Sequence, residues 1–360
     1  MPEKLKDLFF TDQFFIELGK AIHELYPEFD KDGFIRSIFD KEWERRELKQ
    51  KMRHTTFCLA AFLPENYPEA MKILTEVAPR FTGFDAMVFP DFVECYGLDD
   101  WDTSLRALAL FTRYCSSEFA IRPFLAQDPE KGMSFMLALT DEKNHHLRRL
   151  ASEGCRPRLP WAMALSAFRK NPLPIFPILE ALRDDPSEYV RRSVANNLND
   201  ISKDHPELVL DICEKWLGQS ENTDWIVKRA CRSLLKSGHK RALLLFGFGD
   251  PRFISIEELS LDRSILTIGE DIRFSFALKL ETKDPYLARL EYGVYFVKAR
   301  GKLSRKIFQL REASYEPGSY IIARKHSFKD LSTRKHYPGI HRLAIIVNGL
   351  EKATVEFELK

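Results

Sequence analysis

At 360 residues, with 44% hydrophobic and 30% charged residues, the chain has room for two globular domains with ordinary cores and falls outside the disordered class. Its opening, Met-Pro-Glu-Lys-Leu-Lys-Asp, is charged and carries no apolar signal segment, and no stretch approaches the roughly 18 apolar residues that span a bilayer, so a cytoplasmic protein without membrane attachment is expected. The net charge of +2 hides an asymmetry: between 283 and 335 thirteen Lys/Arg stand against five Asp/Glu, a local +8 that leaves the remainder at −6, which suits either a polyanionic partner or a solvated basic surface.

Helical spacing predicts Asp12 to Tyr26, Gly33 to Ile38, Glu42 to Phe62 and Tyr67 to Ala78, with breaks at Pro27, Pro64, Pro68 and Pro79. From Trp101 to about Lys240 the pattern becomes loosely repetitive. An apolar helix and a polar turn precede a second helix that opens on a basic pair. These pairs follow Leu147, Val190 and Val227, separated by 43 and then 37 residues, as in HEAT-type helical repeats.

At 100° per residue, Leu147, Leu150 and Ala151 share a face, as do Val190, Ser193 and Val194, and Val227, Ala230 and Cys231. Arg149 with Glu153, Arg192 with Asn196, and Arg229 with Ser233 then fall on the opposite side. Stacking would align an arginine column beside a polar one, either lining a groove for phosphates or pairing within a solvated face.

After Phe248-Gly-Asp-Pro251 the period becomes alternating. Strands are predicted over Ile272 to Leu280, Leu290 to Val297, Ser319 to Ala323, His341 to Val347 and Thr354 to Leu359, with turn signals at Glu316-Pro-Gly and Asn348-Gly. The expected fold is therefore multidomain, α then β. A HEAT-like helical solenoid over 1–245 is followed by an antiparallel immunoglobulin-like β-sandwich over 250–360. The six cysteines show no zinc spacing and read as buried free thiols, and the nine histidines form no evident constellation.

Glu153 directly precedes Gly154, a natural helix terminator, where the negative end of the helix dipole disfavours a carboxylate by roughly 0.3–1 kcal/mol. A residue placed against propensity suggests function, the bland alternative being an ion pair with Arg149 one turn earlier. Glu118, in Ser-Ser-Glu-Phe-Ala-Ile-Arg-Pro, either belongs to a helix cap or is partly desolvated among Phe119, Ile121 and Phe124. Trp161 follows two prolines and is expected to head a helix, packed in the core or facing the groove. Phosphate loops, His-Glu-x-x-His and Gly-x-Ser-x-Gly are missing. Carboxylates beside a basic surface suit cleavage through a cationic sugar, as in glycosidic bond hydrolysis.

These motifs resemble a known family. Ser-Ser-Glu118-Phe-Ala-Ile-Arg-Pro-Phe, Arg-Leu-Ala-Ser-Glu153-Gly-Cys-Arg-Pro-Arg-Leu-Pro-Trp161 and Arg-Arg-Ser-Val-Ala-Asn-Asn-Leu-Asn-Asp200 resemble the HEAT-like repeat alkylpurine DNA glycosylases of the AlkC branch, including members with a trailing immunoglobulin-like domain. The resemblance implies excision of N3-alkylated bases such as 3-methyladenine and 3-methylcytosine from duplex DNA. It also implies a reaction without metal or cofactor and without drawing the base into a deep pocket. It places Glu118 and Glu153 at the catalytic positions, facing the oxocarbenium-like sugar and orienting water. Trp161 falls beside the lesion, and Asp200 at a motif position that is equally a structural cap. Arg149, Arg156, Arg158, Arg192 and Arg229 are assigned to phosphates on the repeat geometry. The basic sandwich, through Lys298, Arg300, Lys302, Arg305, Lys306, Arg324 and Lys325, is expected to grip the backbone so that two domains clamp a bent duplex. A monomer acting at the nucleoid is expected; the alternatives are a HEAT-repeat scaffold or a DNA-binding protein without catalysis.

Overall fold

The computed structural model describes residues 8–330 and 334–360, so the charged opening heptad lies outside the described residues. No described helix is long and apolar enough to cross a membrane. The chain divides into two compact units, Met1–Val209 with Lys215–Ala230, and Leu210–Glu214 with Cys231–Lys360.

In the helical unit, Asp12–Leu25 starts where the Thr11 side chain accepts from the Phe14 amide, and it buries Phe14, Phe15, Leu18 and Ile22. The Lys31–Ile38 helix begins two residues before Gly33 because Asp30 caps it. The continuous helix expected from Glu42 is instead a 3₁₀ turn, Trp43–Arg45, followed by Leu48–Phe62. The break comes at Glu47, whose side chain and that of Gln50 cap each other's backbone reciprocally, fixing a helix start there.

Three second helices, His145–Gly154, Glu188–Ile201 and Glu221–Ala230, pack side by side. Their expected inner faces are buried throughout, from Leu147, Leu150 and Ala151 to Val227, Ala230 and Cys231. The first arginine of the first two basic pairs holds the turn at 185–186, Arg148 from the preceding repeat and Arg191 from the helix that the turn precedes. Arg148 holds Asp185 through two nitrogens at 2.5 and 3.1 Å, and Arg191 donates to the Asp185 and Pro186 carbonyls. In the third repeat the helix stops at Ala230, so Ser233 belongs to the separate Arg232–Ser237 helix and does not extend the polar column.

The second unit holds β1 (Ile254–Leu261), β2 (Ile265–Leu266), β3 (Asp271–Leu280), β4 (Tyr286–Val297), β5 (Leu303–Tyr315), β6 (Gly318–Ser327), β7 (Gly339–Val347) and β8 (Leu350–Leu359). They form two sheets, β1-β3-β6 and β2-β8-β7-β4-β5, antiparallel except where β2 runs parallel to β8. Alternating residues, including Phe274, Phe276, Leu290, Val294, Leu343 and Ile345, meet in one core between them. The β7–β8 hairpin turns at Asn348 (φ 45°) and Gly349 (φ 80°), the left-handed pair that an Asn-Gly turn supplies.

The outer face of the five-stranded sheet is also covered. Ala344, Ile346, Arg289 and Glu291 point away from the core yet are buried. The segment leading into the strands packs there: the Asn348 side chain donates to the Gly249 carbonyl at 2.9 Å, and Tyr286 Oη to the Asp250 carbonyl at 2.7 Å. Gly238 and Gly349 approach so closely that a Cβ on Gly349 would lie 2.5 Å from the Gly238 Cα.

Four of the six free cysteines are buried, while Cys95 and Cys115 are only half-buried.

Candidate active site

The His145–Gly154 helix is capped at its start by Asn144, whose side chain accepts from the His146 amide at 2.8 Å, and its last turn carries Glu153. The face expected to look outward at this turn is covered. Glu153 is 6% exposed, and both carboxylate oxygens are engaged. Oε1 accepts from Arg156 at 2.6 Å with Arg149 at 3.4 Å, and Oε2 accepts from Ser193 Oγ at 2.6 Å. The i,i+4 pair with Arg149 does exist, but it is the longest of these contacts.

The same two arginines reach the other acids. Arg149 pairs with Glu118, whose Oε2 also accepts from Ser116 Oγ at 2.9 Å, and Arg149 itself donates to Ser116 Oγ at 3.0 Å. Arg156 grips Asp200 through Nε and Nη2 at 2.9 and 2.8 Å, while Lys203 meets the other Asp200 oxygen at 3.0 Å. A continuous chain therefore runs Ser116, Glu118, Arg149, Glu153, Arg156, Asp200, Lys203. Burial opposes the charge on Arg149, but the Glu118 and Glu153 carboxylates outweigh it and the shift is upward. Arg156 shows the same balance with Glu153 and Asp200. Asp200 is thus more than a helix-end cap, and Glu118 serves Arg149 and Ser116 instead of capping the Ile121–Gln127 helix, which has no side-chain cap.

The assignment of Arg149 and Arg156 to phosphates meets a physical obstacle here. Their side chains are only 14% and 9% exposed and are committed to carboxylates. Arg158 makes a forked pair with Asp204, and Arg192 is exposed but bonded to Glu188 at 2.5 Å. Arg229 stacks over Trp225 at 5.4 Å. The expected column is thus graded from buried at Arg149 to open at Arg192.

One residue essential to this geometry escaped the sequence reading. Arg122 is wholly buried; its Nη1 donates to the Gly154 and Arg156 carbonyls at 2.8 and 2.9 Å, and its Nε to the Met163 carbonyl at 2.7 Å. Burial pushes its pKa down to about 10, which still leaves it cationic at neutral pH. Its charge sits on the carbonyl end of the site helix, offsetting the dipole that would disfavour Glu153 there. The signal in the sequence was an arginine inside an apolar run, between Ile121 and Phe124.

Trp161 does not head a helix. It occupies a turn with φ 63°, and the next helix begins at Ser166. This left-handed conformation costs a non-glycine residue roughly 1–3 kcal/mol and persists only where the surroundings enforce it. The side chain is neither core nor cap: it is 61% exposed.

The histidines do form a cluster, in the sandwich. His326, His336 and His341 are buried around Phe296 and Phe328. His145 and His146 pack edge-on against Tyr189. Among the described residues no group of three or more His, Cys, Asp or Glu is arranged to hold a metal ion. Of the basic residues expected to grip DNA, Lys298, Arg300 and Lys302 lie exposed at or beside the β4–β5 turn; Arg305 pairs with Glu351 and Lys325 with Asp271.

Helices in repeat register followed by an immunoglobulin-like sandwich, with a buried carboxylate–arginine chain at a helix end, define the class of this protein, and comparison with known proteins specifies it. Residues 255–360 match the family described as "Uncharacterised protein YhaZ, C-terminal Ig-like domain". The chain is 44% identical to the Bacillus subtilis (strain 168) protein described as "Uncharacterized protein YhaZ", over 99% of both chains. It is 38% identical to the Pseudomonas fluorescens alkylpurine DNA glycosylase AlkC, solved bound to DNA containing an abasic site analog. That likeness has a TM-score of 0.95 and covers 99% of this chain and 100% of that one. The chain belongs to the AlkC family.

Proposed function

We propose that this chain is a DNA glycosylase that hydrolyses the N-glycosidic bond of N3-alkylated bases, 3-methyladenine and 3-methylcytosine among them, in duplex DNA. The observation that carries this reading is the conjunction of Glu118, Glu153 and Asp200 on one buried arginine chain with an exposed, conformationally constrained Trp161, in a chain similar from end to end to a glycosylase.

An N3-alkylated base is already cationic and leaves without being protonated, so the chemistry proposed draws on no metal or cofactor. The task left to the protein is to meet positive charge developing on the deoxyribose and to hold a water against it. Glu118 and Glu153 supply fixed negative charge in a site whose orientation is set before the substrate arrives, which is where such charge stabilises a transition state most. The indole of Trp161 offers a cation–π surface to the alkylated base or sugar. The space beside the two glutamates is filled by Arg149 and Arg156, which supports a base left in the stack over one drawn into a pocket. Phosphate contacts are proposed for Arg158, Arg192 and Arg229, and for Lys298, Arg300 and Lys302 of the sandwich, with Arg149 and Arg156 orienting carboxylates. The protein is proposed to act as a monomer in the cytoplasm, at the nucleoid.

The deciding experiment is single-turnover release of 3-methyladenine from methylated duplex DNA by the wild type and Glu153→Gln. Release by the wild type, and loss in the variant with duplex binding retained, is expected. Turnover by Glu153→Gln at the wild-type rate would remove Glu153 from the mechanism.

A further inference from the structure

Two cations from separate parts of the helical unit hold the turn that carries Trp161. From the inside, Arg122 anchors the carbonyls of Gly154, Arg156 and Met163, which bracket the turn. From the outside, the Lys49 ammonium donates to the Trp161 carbonyl itself at 2.8 Å and lies 4.2 Å from the centroid of Phe119, the residue after Glu118. Lys49 stands on the Leu48–Phe62 helix, whose separate start at Glu47 places it in the first turn. The ammonium on its carbonyl holds Trp161 against relaxation into an ordinary backbone basin, which would swing the indole away from its direction.

We propose that Lys49 is a positioning residue for base excision, acting through the backbone of Trp161 with Arg122 as its internal counterpart. This rests on the reading of the chain as a glycosylase. It differs from the obvious role for a half-buried lysine in a DNA-binding protein, a phosphate contact, because the two predict different losses. A phosphate ligand lowers duplex affinity and reduces the salt slope by about one. A positioning residue leaves affinity in place and slows the reaction, since a displacement of about 1 Å can cost roughly 100-fold in rate. Arg122 is the less informative target, because removing it strands buried carbonyls and destabilises the fold.

The test compares wild type, Lys49→Met, Lys49→Arg, Trp161→Ala and the Lys49→Met/Trp161→Ala double variant. The readouts are single-turnover release of 3-methyladenine from methylated duplex, duplex affinity across a salt series, and acrylamide quenching of tryptophan fluorescence referenced to Trp161→Phe. Lys49→Met is expected to lose roughly 10- to 100-fold in rate. It should keep affinity and salt slope, and alter the Trp161 part of the quenching. Lys49→Arg should recover most of the rate, and Lys49→Met should cost nothing further once the indole is gone. Three results would each overturn the proposal: an unchanged rate in Lys49→Met, a loss confined to affinity with a reduced salt slope, or multiplying losses in the double variant. A wild type that releases no base overturns the glycosylase reading itself and takes the proposal with it; an active wild type matched by Lys49→Met overturns the proposal alone.

Discussion

In the sandwich, Arg289 lies between Glu291 and Glu312; in the helical unit, Arg149 lies between Glu118 and Glu153. The chemistry of the two clusters is the same and their settings differ. Arg289 and Glu312 are register partners across β4 and β5, Glu291 is fully buried, and burial pushes its carboxyl upward against the pull of Arg289. The Arg149 cluster joins three chain segments through residues that stay 7–16% exposed. Buried ion pairing alone therefore does not mark a reactive site. The helical cluster differs from that of Arg289 in drawing together segments that are distant in the chain.

The largest effect that separates the two clusters is on chemistry. Glu118→Gln or Glu153→Gln should reduce single-turnover base release by roughly 10²–10³, whereas Glu291→Gln should leave it unchanged; equal losses from both clusters would mean that the assay reports folding. Next comes stability. Arg289→Met strands the fully buried Glu291 carboxylate in the sandwich and should cost about 3–5 kcal/mol in denaturant unfolding with no change in the base-release rate of the folded fraction.

The third expectation concerns pH. His326 is pushed down to about 4, first by burial and then by the Arg334 charge. Between the ordinary value of 6.5 and about 4 the unfolded chain binds the proton and the folded chain does not. Its contribution is complete above pH 6.5 and is lost as pH falls through about 4, by up to about 3 kcal/mol. His326→Phe should flatten this slope, and unfolding midpoints that match the wild type across the window would exclude the histidine as its source. The smallest effect belongs to Arg192. Its exposed pair with Glu188 should contribute little to stability, while Arg192→Gln should lower the salt slope of duplex binding by about one.

The fold was most legible where one side of an element meets the core. The inner faces of the repeat helices and the Ile272 to Leu280 alternation are written in apolar spacing. β5 was not legible, because as an edge strand it carries Arg305, Lys306, Arg311 and Glu312 at partly or fully exposed positions that blur the alternation. In β1 the pattern is interrupted between Glu257 and Ser260, where Glu258 has φ 53°. Glu118, Glu153 and Asp200 could be singled out from motifs. What holds them could not, since Arg122, Ser193 and Lys49 meet their partners across 32 to 112 residues of chain. Trp161 was placed in a helix because proline favours a helical start, and periodicity has no term for a left-handed residue held by a distant lysine.

The close approach of Gly238 to Gly349 bears on how the protein can be taken apart. Because the backbones touch there with no room for a Cβ, and Leu243 packs against the same turn, residues 231–250 behave as part of the sandwich's fabric. A fragment cut at the first strand would lose the Gly238–Gly349 contact and the Gly249 and Asp250 carbonyls to which the Asn348 amide and the Tyr286 hydroxyl donate. Autonomy of the sandwich, and any transplantation of it onto another repeat protein, depends on carrying those helices along.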